Sequence, residues 1–200
     1  MFNTENEMLV LEIPKNGSRS LVEAMVQGYG KSVIKHQGHY TLGHFLTRQA
    51  PSLAWLEQLR KPLVVVAVIR NPVQRFVSQI RQADRKNPRL GLEALMVRAA
   101  NNLDVVFQPQ WQYLAETVLA DHIKTDRRLW PMDDLSEALN FVAGKPVSIH
   151  ANQAPEQSEQ ISVDEILHHP LFDVLMDSPE HYQPDFKLWV MACRALARNA

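Results

Sequence analysis

The sequence predicts an α/β fold, a central, mostly parallel sheet flanked by helices. Three observations carry this expectation. LVVVAVI, Leu63–Ile69, is a continuous β-branched run without a polar residue, the pattern of a strand covered on both faces. A second apolar run, MLVLEI (Met8–Ile13), is followed within a few residues by a helix-like segment. Along the rest of the chain strand patterns alternate with helical ones, as in parallel sheets joined by crossover helices.

Taken in order, Met8–Ile13 reads as a buried strand ended by Pro14, and Ser18–Gln27 as a helix running into Gly28. SVIKH (Ser32–His36) is a short strand candidate, and TLGHFLTRQ and SLAWLEQLR look helical. After the central strand, Asn71 is a good N-cap and Pro72 suits the first helical position, so a helix is expected through VQRFVSQIRQ. Further helices are expected at 90–100, 110–119 and 133–143, the last stopped by Gly144. DHIKT (Asp121–Thr125) and PVSIH (Pro146–His150) are weaker strand candidates. Tyr182, Phe186, Trp189, Cys193 and Leu196 recur at helical spacing, which makes Cys193 a core filler in that reading.

Two hundred residues suit a single domain spanning 1–200. The hydrophobic share of 46% and charged share of 22% are those of an ordinary globular chain. A net charge of −1 argues against nucleic acid or a membrane surface as a partner. The local basic clusters RQADRKNPR (Arg81–Arg89) and KTDRR (Lys124–Arg128) read as solvated faces. The start, MFNTENEM, carries acids where a signal peptide carries positive charge, and no run approaches the roughly 20 apolar residues of a membrane span. One cysteine excludes an internal disulfide framework and fits a reducing compartment, so a cytoplasmic location is expected.

The chemistry concentrates at two strand ends, where open parallel sheets bind ligands. In PKNGSRS, Gly17 permits a tight turn, and Ser18, Arg19 and Ser20 open a helix whose N–H groups and dipole face an anion. Lys15 adds a point charge, and Asn16, Ser18 and Ser20 add side-chain donors. At the second end Arg70 directly follows the central strand, and Ser78 stands eight residues further on. Two such turns suggest one ligand with two anionic groups. A nucleoside triphosphate fits poorly, because a P-loop places its lysine after the second glycine, and here Lys15 precedes the only one. The central strand also ends in arginine where a Mg²⁺-dependent enzyme commonly has an aspartate.

PKNGSRS followed by RNPVQRFVSQIR resembles the two cofactor motifs of PAPS-dependent sulfotransferases. The resemblance implies the P-loop-NTPase-like sulfotransferase fold. It implies that Lys15, Asn16, Gly17, Ser18, Arg19 and Ser20 hold the 5′-phosphosulfate of PAPS, and that Arg70 and Ser78 hold its 3′-phosphate. Asn16 and Arg19 stand where that family more often has hydroxyl residues. FQPQWQYL (Phe107–Leu114), DHIKTDRRL, HANQAP (His150–Pro155) and HYQPDFKLW (His181–Trp189) resemble later blocks of the carbohydrate sulfotransferase branch, in the same order. The implied acceptor is a hydroxyl-bearing molecule, most naturally a sugar, and the chain looks like a soluble bacterial-type relative without the membrane anchor of Golgi members.

Sulfuryl transfer to an alcohol needs a base for the hydroxyl proton. GHYTLGHF resembles the segment of uronyl 2-O-sulfotransferases in which a glycine–histidine pair precedes a short helix, which makes His39 the base, with Lys15 aiding departure of the leaving group. His36 is the reserve and His44 a helix residue. A zinc site from the three histidines lacks a carboxylate or cysteine at ligand spacing, so no metal is expected. Trp130 and Phe141 are both candidates to stack on adenine. The competing readings are a nucleotide kinase-like phosphotransferase, which predicts ATP and Mg²⁺ dependence, and a non-catalytic nucleotide-binding module. Neither the acceptor nor the oligomeric state is legible in the sequence.

Overall fold

A computed structural model describes residues 2–3, 6–34, 41–42, 61–102, 105–115, 124–149 and 161–197. Its sheet is built from β1 (Phe2–Asn3), β2 (Met8–Val10), β3 (Val33–Ile34), β4 (Leu63–Ile69) and β5 (Thr125–Pro131). The spatial order is β3-β1-β2-β4-β5. β2 and β5 pair parallel to β4, while β1 runs antiparallel to both of its neighbours, β2 and β3. All strands but β1 therefore share one direction, and the architecture is α/β with a mostly parallel sheet.

The strand period of two sorts β4 into two faces. Leu63, Val65, Ala67 and Ile69 join Leu9, Leu11, Ile13, Tyr113 and Ala192 in one buried cluster. Val66 and Val68 point the other way, among Met8, Val10, Leu21, Met25, Leu139 and Val142. The first face is covered by α4 (Gln110–Leu114) and the C-terminal α8 (Gln183–Ala197), the second by α1 (Ser18–Tyr29) and α5 (Leu135–Ala143). A third cluster, centred on Phe76, Ile80, Met96, Phe107, Phe172 and Tyr182, ties together α2 (Pro72–Lys86), α3 (Gly91–Ala100), α6 (Val163–Leu167) and α7 (Pro170–Asp177).

Several expectations hold in detail. β4 occupies Leu63–Ile69, as read from the sequence, and Asn71 caps α2 by accepting from the backbone N–H of Val73 and Gln74, with Pro72 at the start. Gly144, left-handed at φ 67°, ends α5. Others need correction. β2 leaves the ladder after Val10; Leu11 still donates to the Val66 carbonyl at 2.9 Å, but Ile13 then turns back onto the Leu11 carbonyl at 3.1 Å. Of the strand expected at Asp121–Thr125, residues 121–123 lie outside the described residues, Lys124 precedes the ladder, and β5 starts at Thr125 and runs on through the charged TDRRLWP. Arg127 and Arg128 are exposed there, and β5 is the edge strand of the sheet among the described residues, where charges are tolerated.

Pro146–Ile149 is no strand: Val147 donates to the Asn140 side chain at 2.9 Å and packs with Ile149 against the α5 side of the core. Cys193 is only half-buried, and its neighbour Ala192 takes the fully buried place on α8. His168 and His169 have local roles, His168 Nδ1 lying 2.8 Å from the Asp164 carbonyl. His169 caps α7 by accepting from the Leu171 N–H at 3.2 Å, and its other ring nitrogen meets Glu93 Oε2 at 2.8 Å. Among the described residues no helix is long and apolar enough to cross a membrane. The helix expected at Ser52–Arg60, most of Thr41–Gln49, and His150–Pro155 lie outside the described residues.

Candidate anion-binding site

The β2–β4 register sets Val10 beside Val66, so the loop after β2 runs alongside the carboxyl end of β4. That loop, Pro14–Gly17, bends sharply. Lys15 holds φ at 69°, a left-handed conformation unusual for a residue with a side chain, and Gly17 holds φ at 70° as the N-cap of α1. At Gly17 a Cβ would be strained by that φ and would press to 3.2 Å from both methyl carbons of Leu135. No side chain caps α1, and no acid occupies its first turn. The leading N–H groups of that helix therefore face outward without an intrahelical acceptor. Ser18 and Ser20 are buried at this end and Arg19 is exposed.

Arg70 emerges from β4 against this loop, its Nη1 donating to the Lys15 carbonyl at 3.3 Å. Its Nε is buried without a hydrogen-bond partner among the described residues. Burial holds the Lys15 ammonium below its ordinary pKa, and Arg85, Arg70, Arg19 and Lys86 press it further in the same direction. Among the described residues, the charges that shift Lys15 are all cations. Burial, with Arg75 adding to it, likewise lowers Arg70, against which Asp133 acts from beyond the carboxyl end of β5. A cluster of cations gathered around one lysine, with Asp133 the acid that bears on Arg70, is the electrostatic shape of an anion site.

Asn16 behaves otherwise. Its side chain is buried, and its amide donates inward to the Val68 carbonyl at 2.6 Å and to Gln110 Oε1 at 2.5 Å. Ser78 lies half-buried on α2, seven residues before Arg85 and so on the same side of that helix. Arg85 and Lys86, read from the sequence as part of a solvated face, thereby join the surroundings of Lys15. Trp130 and Phe141 stack on each other, ring centroids 4.9 Å apart and planes tilted by 42°. His36, His39 and His44 lie outside the described residues.

Beneath the site is a polar layer that sequence reasoning missed. Arg75 is fully buried, its Nε donating to the Pro14 carbonyl at 3.1 Å and its Nη2 to the Gln108 carbonyl at 2.9 Å. Gln110, also fully buried, accepts from the Arg70 N–H and donates to the Arg70 carbonyl, both at 2.9 Å. The buried carboxylate of Asp185 accepts from the N–H groups of Gln110 and Trp111 at 2.9 and 2.8 Å. Burial raises the Asp185 carboxyl, while Arg75 and these hydrogen bonds hold the shift back. The signal available in the sequence was position: Gln110 and Asp185 sit in two of the blocks singled out there, FQPQWQYL and HYQPDFKLW.

No family model, no curated protein and no solved structure matches the chain.

Proposed function

We propose that this chain is a PAPS-dependent sulfotransferase of the P-loop-NTPase-like class, moving the sulfuryl group of PAPS to a hydroxyl of an acceptor, a carbohydrate in the fullest form of the reading. The observation that supports it best is the gathering of Arg70, Arg19, Arg85 and Lys86 around Lys15, at the edge where β2 and β4 end. The Arg70 Nε, buried without a hydrogen-bond partner among the described residues, fits the same reading, since a guanidinium forks onto a phosphate.

In this account the loop of Lys15, Gly17, Ser18, Arg19 and Ser20 takes the 5′-phosphosulfate, Asn16 shapes that loop from within, and Arg70 with Ser78 takes the 3′-phosphate. The acceptor oxygen bonds to sulfur as the bond from sulfur to the bridging oxygen breaks. The acceptor proton goes to His39, and PAP leaves with its new charge next to Lys15 and the amides at the start of α1. Donors already aimed at a developing charge are the largest electrostatic contribution available to such a step.

PAP released from PAPS, followed over a panel of hydroxyl-bearing sugars, tests the reading. Turnover is expected with at least one of them, reduced roughly 10²- to 10⁴-fold in His39→Ala, the usual worth of a general base. Undiminished turnover in His39→Ala would move the role to His36 or elsewhere. One observation favours a second reading, a Mg²⁺-dependent phosphotransferase: Asp133 supplies a carboxylate near Arg70, where the sequence offered none on the central strand. That reading expects ATP–Mg²⁺ binding that is lost in Asp133→Asn.

A further inference from the structure

Outside the ligand-facing residues, one buried side chain touches both halves of the site. Gln110 Oε1 accepts from the backbone N–H of Arg70 at 2.9 Å and from Asn16 Nδ2 at 2.5 Å, while its Nε2 donates to the Arg70 carbonyl at 2.9 Å. The amide occupies both backbone polar groups of Arg70, as a neighbouring strand would, and so extends the pairing of β4 one residue past its end. Asn16 then links the same oxygen to the first loop and to the Val68 carbonyl at 2.6 Å.

The segment carrying Gln110 is itself fixed twice. Arg75 bridges the Gln108 and Pro14 carbonyls, and Asp185 holds the N–H groups of Gln110 and Trp111. A fully buried, fully engaged amide at this junction has little rotational freedom.

We infer that Gln110 is a positioning residue that sets the separation between the two anion-binding halves, so that they engage one ligand carrying two anionic groups at a fixed spacing. The inference rests on the two-anion reading above. It makes the selectivity between doubly and singly anionic nucleotides a property of Gln110, which need not touch either.

Gln110→Met removes the side-chain hydrogen bonds to Arg70 and Asn16, and the one to the Asp185 carboxylate, at nearly constant volume. In calorimetric titrations its affinity for PAP is expected to fall roughly 10- to 100-fold, since each buried hydrogen bond is worth up to about tenfold. Affinity for adenosine 5′-monophosphate, which needs only one half of the site, should change less than about threefold in the same variant. A general loss of structure would instead lower the thermal midpoint and weaken both nucleotides alike. Equal losses for the two, or an unchanged PAP affinity, would overturn the positioning role while leaving wild-type PAP binding, and with it the sulfotransferase reading, in place. Wild-type protein that ignores PAP would overturn both. Should Gln110→Met not fold, the isosteric Asp185→Asn frees one of the amides that fix the segment. It should shift the same affinity ratio in the same direction by roughly threefold to tenfold, and an unshifted ratio would again overturn the role.

Discussion

Lys15 carries the account at the scale of a single residue. Its left-handed backbone costs about 1–2 kcal/mol, and the carbonyls on either side of it are held by arginines, Pro14 by Arg75 and Lys15 by Arg70. Arg70 thus both helps to enforce the conformation and supplies charge beside Lys15. With the ammonium held below its ordinary value of 10.5, the unfolded chain binds more protons than the folded one between the two pKa values. Stability contributed by Lys15 should rise with pH across that window. Ligand affinity should move the other way. A bound polyanion restores the ammonium, so PAP binding should take up protons and weaken as pH rises through the depressed Lys15 pKa. Titrations in buffers of different ionisation enthalpy read that uptake directly, and Lys15→Met should abolish it. Affinity that does not change up to pH 10.5 would show that Lys15 is not a ligand-facing cation.

At the scale of elements, α1 and α5 meet closely at Gly28. A Cβ on Gly28 would sit 2.4 Å from the Ala143 carbonyl oxygen and 2.8 Å from its Cα, backbone atoms that cannot swing aside. Gly28→Ala should destabilise the fold by about 1–3 kcal/mol, the range of overpacked sites, as a lower denaturant midpoint. Unchanged stability would mean that the two helices meet less closely than described.

The elements that were legible in the sequence are those whose signal is local. LVVVAVI has no competing period, and Asn71-Pro72 marks the start of α2 by capping chemistry alone. Edge strands were harder. Phe2–Asn3 is two residues long, and β5 carries four polar or charged residues that the sheet edge tolerates but a pattern search rejects. Illegible too was the polar layer, because its bonds join residues far apart. Arg75 reaches Pro14 across 61 positions and Asp185 reaches Gln110 across 75, and no window of sequence contains both ends. The candidate loop and Arg70 could be read because each is a short motif; the buried amide that joins them could not.

For the whole molecule, a net charge of −1 hides a strongly uneven distribution. Lys15, Arg19, Arg70, Arg85 and Lys86 converge on the carboxyl edge of the sheet, with Asp133 the acid that bears on Arg70. Attraction to an anion there should be screened as the Debye length shrinks from about 10 Å at 0.1 M salt to 3 Å at 1 M. PAP affinity should fall accordingly, and a flat salt series would argue that the cluster does not act together. The central claim, a metal-free site for two anionic groups, is tested most directly by titrating the full chain calorimetrically with PAP in chelator, beside ATP with Mg²⁺. Micromolar PAP binding that is lost in Arg70→Ala is expected, with ATP–Mg²⁺ bound far more weakly. Tight ATP–Mg²⁺ binding with indifference to PAP would contradict it, and would mean that the loop after β2 cradles a triphosphate.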